Sequence, residues 1–263
     1  MPIFTYDNIN FNYIDQGEGT PLLFLHGMGG ESGQALQLLG ATKGIRLLSF
    51  DYRGHAATVC DNKPHNFSMQ QYALDALALL DYLKIEKCIV VGLSLGAAIT
   101  LKLNLMASKR IQKFVLLRPA WLNKSLPDNL KEAPYISELI EKHGTEKGQV
   151  LIEQYPPYIK LKAENKNCAL SALWYFQRPQ AGSSFLLLHQ FPYETPFQQY
   201  EDLQQLTQKS LVLACHHDPI HPFEYGIQLA KHLPNASFQE VAPRYLQEAQ
   251  YLEESKLAIE AFL

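Results

Sequence analysis

Apolar and polar residues alternate in Ile3-Phe4-Thr5-Tyr6 and in Phe11-Asn12-Tyr13-Ile14. A period of two predicts a pair of early antiparallel strands, and Gly17-Glu18-Gly19 turns the chain into the next element. The pattern then changes to short continuous apolar runs, the mark of parallel strands covered on both faces. Leu22-Leu23-Phe24-Leu25 ends in His26-Gly27-Met28-Gly29-Gly30, and Ile45-Arg46-Leu47-Leu48-Ser49-Phe50 ends in Asp51-Tyr52-Arg53-Gly54-His55. Three more runs follow the same logic. Cys88-Ile89-Val90-Val91 leads into Gly92-Leu93-Ser94-Leu95-Gly96, Phe114-Val115-Leu116-Leu117 into Arg118-Pro119-Ala120-Trp121, and Leu211-Val212-Leu213-Ala214 into Cys215-His216-His217-Asp218. Residues 237–241 read as a last strand before a C-terminal helix. From Ser68 to about Lys84 the apolar positions Tyr72, Leu74, Leu77, Leu80 and Leu83 recur near helical spacing behind a serine cap.

Strands alternating with helices imply a mostly parallel sheet flanked by helices, with sites at the carboxyl ends of the strands. Every motif named above sits at such an end. Between Trp121 and about Leu206 the pattern becomes helical segments broken by Pro127, Pro134, Pro156-Pro157, Pro179, Pro192 and Pro196, with no clear buried strand. The expected organisation is therefore an α/β core over residues 1–120 and 207–263, with a helical cap inserted over 121–206.

Charge narrows the range of partners. Lys and Arg number 23 against 26 Asp and Glu, without a basic run, so no electrostatic footprint points to nucleic acid or an anionic membrane. A small-molecule partner is expected, with oligomeric state open. No apolar run reaches spanning length and the N-terminus does not read as a signal peptide, which leads to the expectation of a cytoplasmic protein. The cysteines Cys60, Cys88, Cys168 and Cys215 lie far apart and make no metal-ligand spacing, so neither a metal nor a cofactor is expected.

Gly92-Leu93-Ser94-Leu95-Gly96 matches the G-x-S-x-G elbow that forces a serine onto a tight strand-to-helix turn. Alone the pattern is weak, but a strand before it and a helix after it are the context the motif requires. On these residues the chain resembles the α/β-hydrolase superfamily over nearly its whole length. His26-Gly27-Met28-Gly29-Gly30 is similar to the family's H-G-x-x-G segment, and Asp51-Tyr52-Arg53-Gly54-His55 to its D-x-R-G-x-G segment. The resemblance implies the α/β-hydrolase fold, Ser94 as nucleophile, and the backbone N–H groups of Met28 and Leu95 as an oxyanion hole. It also makes Asp218, in Asp218-Pro219-Ile220-His221-Pro222, the triad acid. His26 and Arg53 are read mainly as loop-holding residues. His26, Arg118 and Trp121 remain candidates to line a pocket, although an arginine placed like Arg118 more often makes a structural ion pair.

The chain departs from the family at the third triad position. The resemblance places the expected histidine near Tyr245, but no histidine follows His232. A serine hydroxyl is a poor nucleophile without a general base. Neither Tyr245, with an ordinary phenol pKa near 10, nor the permanently protonated Arg244 replaces an imidazole. Among the nine histidines, His221 is the best substitute: it lies three residues beyond Asp218, on a loop stiffened by Pro219 and Pro222. His189, His216 and His217 are weaker candidates.

Three functions compete at this level. The first is a cap-bearing serine hydrolase that cleaves an ester, thioester or similar activated carbonyl of a small apolar substrate through an acyl-serine. The second is a catalytically weakened, ligand-binding or regulatory relative. The third is cofactor-free lyase or isomerase chemistry, with Arg118 polarising the substrate. The aromatic residues concentrated in the cap, among them Trp121, Tyr158, Trp174, Tyr175 and Phe191, are expected to supply an apolar pocket beyond those that only pack it.

Overall fold

The computed structural model describes residues 1–263. Eight strands form one sheet: β1 (Ile3–Tyr6), β2 (Ile9–Gln16), β3 (Thr20–Leu25), β4 (Ile45–Phe50), β5 (Cys88–Leu93), β6 (Ile111–Leu117), β7 (Lys209–Ala214) and β8 (Ala236–Glu240). Their spatial order is β1-β2-β4-β3-β5-β6-β7-β8. The first two strands are antiparallel to their neighbours and the rest are parallel, with Leu22 of β3 opposite Leu47 of β4 and Ile89 of β5. The apolar runs read from the sequence are thus central strands. Leu22 to Leu25 are wholly buried, as a strand covered by helices on both sides must be. The last strand runs one residue earlier than its pattern suggested.

Helices α1 (Gln34–Leu38), α2 (Met69–Tyr82), α3 (Leu95–Ala107), α8 (Phe223–His232) and α9 (Glu248–Phe262) cover the sheet. The serine cap of α2 is present: the Ser68 hydroxyl accepts from the Gln71 N–H at 3.0 Å. Between β6 and β7 there is no strand. This segment holds α4 (Glu132–Ile152), α5 (Pro156–Glu164), α6 (Lys166–Gln177) and α7 (Leu186–Gln190), with short 3₁₀ turns between them. No helix of the molecule is long and apolar enough to cross a membrane.

Three adjacent strands are followed within three residues by a non-glycine residue with positive φ: Ser94 after β5 (56°), Arg118 after β6 (48°) and His217 after β7 (57°). Such backbone costs on the order of 1–3 kcal/mol per residue and persists only where the surroundings over-determine it. At Ser94 the two elbow glycines supply that constraint. A Cβ at Gly92 would collide with the Gly96 carbonyl and the Thr100 hydroxyl, and one at Gly96 with the Leu25 carbonyl. Close approach of α3 to β3 and β5 therefore requires both glycines. Gly96→Ala is expected to destabilise the protein by about 3 kcal/mol or more, because backbone rather than a flexible side chain must yield. Urea unfolding measures the loss; wild-type stability in this variant would contradict the packing described.

Candidate active site

The carboxyl ends of β5, β6 and β7 bring Ser94, Arg118, Asp218 and His221 together. Ser94 is half-buried at the tip of the elbow, its N–H tied to the Leu117 carbonyl at 2.9 Å. Its hydroxyl lies 2.9 Å from Nε2 of His221. Nδ1 of His221 lies 3.0 Å from Oδ1 of Asp218, and the same oxygen accepts from the backbone N–H groups of Ile220 and His221 at 3.2 and 3.1 Å. A tight turn over Asp218-Pro219-Ile220-His221 thus presents acid and imidazole from one loop.

Arg118 completes the cluster from below. Its Nε and Nη2 both reach Oδ2 of Asp218, at 2.7 and 2.6 Å. The Tyr245 and Tyr251 rings lie against its guanidinium, with centroids 5.3 and 5.4 Å away. Tyr245, near the place where the resemblance put the catalytic histidine, therefore packs on a cation. Its own hydroxyl is 3.3 Å from Ser171 Oγ.

Nη2 of Arg118 also stands 3.0 Å from Nδ1 of His221. Nδ1 cannot both donate to Asp218 and accept from Arg118. An ionised carboxylate only accepts, so the 3.0 Å contact between Nδ1 and Oδ1 requires the proton on Nδ1, while the guanidinium already has its acceptor in Oδ2. The tautomer with Nδ1–H donating to Asp218 follows, and the Arg118 contact is then charge crowding rather than a hydrogen bond. Nε2 is left with its lone pair toward the Ser94 hydroxyl.

The titration behaviour agrees with this arrangement. Burial and the Arg118 cation lower the His221 pKa, and the Asp218 carboxylate restores only part of the loss, so the ring is neutral near pH 7. Burial alone would raise the Asp218 carboxyl. The charges and hydrogen bonds of His221 and Arg118 outweigh it and hold Asp218 below the usual carboxylate range.

Opposite Ser94 runs the His26–Gly30 turn. A Cβ on Gly27 would meet Cβ of Ser94 at 3.5 Å, so turn and nucleophile are in contact distance of one another. The turn's internal bonds use the N–H groups of Gly27, accepted by Gln34, Gly29, accepted by Nε2 of His55, and Gly30, accepted by the Gly27 carbonyl. The Met28 N–H takes no part in them. Leu95, fully buried at the first position of α3, has an N–H that no preceding helical carbonyl can satisfy. These are the two donors that the sequence marked for an oxyanion.

Other expectations need correction. His26 is fully buried against Tyr52, with ring centroids 3.8 Å apart; it accepts from the Tyr52 N–H at 3.3 Å, and burial pushes its pKa down to about 4. It is a neutral loop-holding residue and lines no pocket. Trp121 is buried in the core and donates to the Phe191 carbonyl at 2.9 Å. Arg118 faces Asp218 rather than open space. His216 stacks on Phe223 and His189 on Tyr193, at 3.8 and 5.3 Å, away from the nucleophile cluster. Arg53, by contrast, is structural as expected, pairing with Asp75 and Asn66.

A cavity of about 200 Å³ opens beside the site, with Met28, Pro219 and Ile220 at the end nearest to it and α4, α5 and α6 around the rest. Its apolar wall is mainly aliphatic: Leu130, Ala133, Ile136, Ile152, Leu161 and Ala172. Of the cap aromatics only Tyr158 and Tyr175 reach it. Phe176 and Phe191 are buried in packing, and Trp174 donates to the Gly29 carbonyl at 2.8 Å, pinning the cap to the turn. No sequence motif signalled this aliphatic lining, because its residues come from separate helices and converge only in three dimensions.

Comparison with known proteins agrees with the fold. The chain is 33% identical over 101 residues to a non-heme chloroperoxidase of Burkholderia pyrrocinia, 36% of each chain. Matches to the haloperoxidases span only 35–42% of their length. A 2-hydroxymuconate semialdehyde hydrolase of Pseudomonas putida is 26% identical over 243 residues, 86% of this chain and 80% of that one. Among solved structures, the enol-lactonase from Burkholderia xenovorans LB400 superposes with a TM-score of 0.77 at 17% identity, covering 99% of both chains. The family model described as alpha/beta hydrolase fold matches residues 20–252. With that match across most of its length, this chain belongs to the α/β-hydrolase-fold family.

Proposed function

We propose that the protein is a serine hydrolase of small, largely apolar esters, thioesters or related activated carbonyl compounds. The 2.9 Å approach of His221 Nε2 to Ser94 Oγ carries this reading, because it supplies a base where the C-terminal one is missing. In the acylation step the Ser94 oxygen attacks the substrate carbonyl while His221 Nε2 takes the hydroxyl proton. Negative charge on the carbonyl oxygen is met by the Met28 and Leu95 N–H groups. The imidazolium then protonates the leaving alcohol or thiol as its bond to the carbonyl carbon breaks, leaving an acyl-serine. Water repeats the sequence on that ester, with His221 again as base, and regenerates Ser94. Asp218 holds the Nδ1 tautomer and offsets the imidazolium charge. Arg118 keeps the Asp218 carboxylate ionised and oriented.

The alternative of a ligand-binding relative without turnover rested on the absent C-terminal histidine. With an imidazole from the acid loop beside Ser94, that ground no longer favours it. Arg118 is occupied by Asp218, which likewise removes the support for a lyase or isomerase that uses it on substrate.

Fluorophosphonate treatment followed by peptide mass spectrometry is expected to label Ser94. On a p-nitrophenyl ester panel, His221→Ala should lower turnover by roughly 10⁶-fold, to background. Tyr245→Phe should retain most activity, since the ring that packs on Arg118 is kept. Labelling confined to another residue, or a His221→Ala protein as active as wild type, would overturn the assignment.

The pH profile offers a separate check. The reactive form has neutral His221, so activity is full above its lowered pKa and lost as pH falls through it. The acidic limb is therefore expected below about 6.5, the ordinary histidine value. Arg118→Met removes a charge that lowers that pKa and should move the limb to higher pH. An unmoved or downward-shifted limb in this variant would contradict the electrostatic coupling.

A further inference from the structure

The loop that carries the proposed base is held from two sides, and one of its holders lies outside the triad. Between Asp218 and α8 the turn over residues 219–222 begins and ends in proline, so its only backbone N–H donors are those of Ile220 and His221. Oδ1 of Asp218 accepts from both, at 3.2 and 3.1 Å. On the other side the Ile220 carbonyl accepts from the side-chain amide of Asn129 at 2.7 Å. That carbonyl and the His221 N–H belong to one planar trans peptide unit, so they point in opposite directions. The peptide that leads into His221 is therefore gripped at both ends, by Asp218 at its hydrogen and by Asn129 at its oxygen. A rotation of that plane strains both bonds and swings the imidazole with it.

Asn129 suits this position by its inventory of donors and acceptor. It stands half-buried in the 3₁₀ turn Asp128–Leu130 that precedes α4. Its amide also donates to the Ala120 carbonyl at 3.0 Å, two residues beyond Arg118. Its oxygen accepts from the hydroxyl of Tyr225, in the first turn of α8, at 3.2 Å. Both carbonyls only accept, which fixes the amide nitrogen toward them. One side chain thus ties the end of β6, which bears Arg118, to the loop after β7, which bears Asp218 and His221. A carboxylate in its place would turn an oxygen on two carbonyls, and a hydroxyl has one proton for two acceptors.

We infer that Asn129 is a positioning residue: through the Ile220–His221 peptide it sets the imidazole at hydrogen-bonding distance from Ser94. The inference rests on the serine-hydrolase reading above and adds to it a member that carries no charge and comes from the segment between β6 and β7. The hydrogen bonds of Asn129 go to backbone carbonyls and to Tyr225, so its influence on the chemistry runs by way of where His221 is held.

The test uses Asn129→Ala and Asn129→Asp, the second keeping the side-chain volume and the Tyr225 bond should the first fail to fold. With p-nitrophenyl acetate, at a pH above the acidic limb, kcat is expected to fall by about 10²-fold, as a misplaced catalytic group costs, with KM little changed. In parallel, NMR of protein carrying isotope-labelled histidine reads which ring nitrogen of His221 is protonated, its signal being assigned by its loss in His221→Ala. Wild type is expected to show the Nδ1–H tautomer alone, and the variants a mixture of the two. Wild-type kcat in a folded variant overturns the inference. So does a lowered kcat with unchanged His221 signals, since the loss then arises elsewhere. If the wild-type protein cleaves no ester, the NMR arm decides: a tautomer mixture in the variants supports the positioning role while counting against serine hydrolysis, and unchanged signals overturn it.

Discussion

Where β6 and β7 end, the buried pair of Arg118 and Asp218 sets the position of everything above it. Two charges taken out of water are costly, and a carboxylate left with one partner would gain little from being there. Here the accounting closes: Oδ2 receives two guanidinium nitrogens, and Oδ1 two backbone N–H groups and an imidazole. The guanidinium is itself enclosed by two tyrosine rings. An acid fixed on all sides can orient a histidine only three residues away, which a mobile loop could not do. The arrangement also has an electrostatic consequence. Arg118 supports the ionised acid but opposes a charged imidazole, so the ring is kept neutral beside an ionised Asp218.

The sheet supplies this cluster with its geometry. Parallel neighbours end side by side, and each of the three central ends adopts a strained, positive-φ residue that redirects the chain over the site. Glycine packing beneath the elbow and the cap's grip on the Gly29 carbonyl hold opposite walls of the cleft. The His221 imidazole, 2.9 Å from the Ser94 hydroxyl, is thereby placed by rigid elements rather than by loops alone. The cap contributes chiefly aliphatic surface to the cavity and spends most of its aromatic residues on internal packing. The cavity is apolar as composition suggested, but only Tyr158 and Tyr175 of the cap aromatics line it, since counting aromatic residues does not reveal which way their side chains face.

Much of the site was legible because local rules govern its parts. The elbow needs glycine on both sides of Ser94 wherever a helix approaches a strand so closely. Asp218 stands immediately beyond an apolar strand, in a turn bounded by proline. The proximity of His221 to Asp218 along the chain limited where its imidazole could be, which made it the leading substitute for the missing base. By contrast, His26 and Trp121 looked like pocket residues from their places at strand ends. Both are buried in packing, because a residue at a strand end can face the layer beneath as readily as the cleft.

The linear sequence by itself determined the alternation of strand and helix, the serine elbow, the order of nucleophile, acid and nearby imidazole, and the insertion after β6. These follow from periodicity, glycine placement and chain order, which are properties of neighbouring residues. Only the tertiary structure decided that Arg118 caps Asp218 and that Tyr245 lies on the guanidinium. Those contacts join residues about 100 or more positions apart. No local pattern encodes them, because their energies arise only when distant segments have been packed against one another and water has been removed from between them.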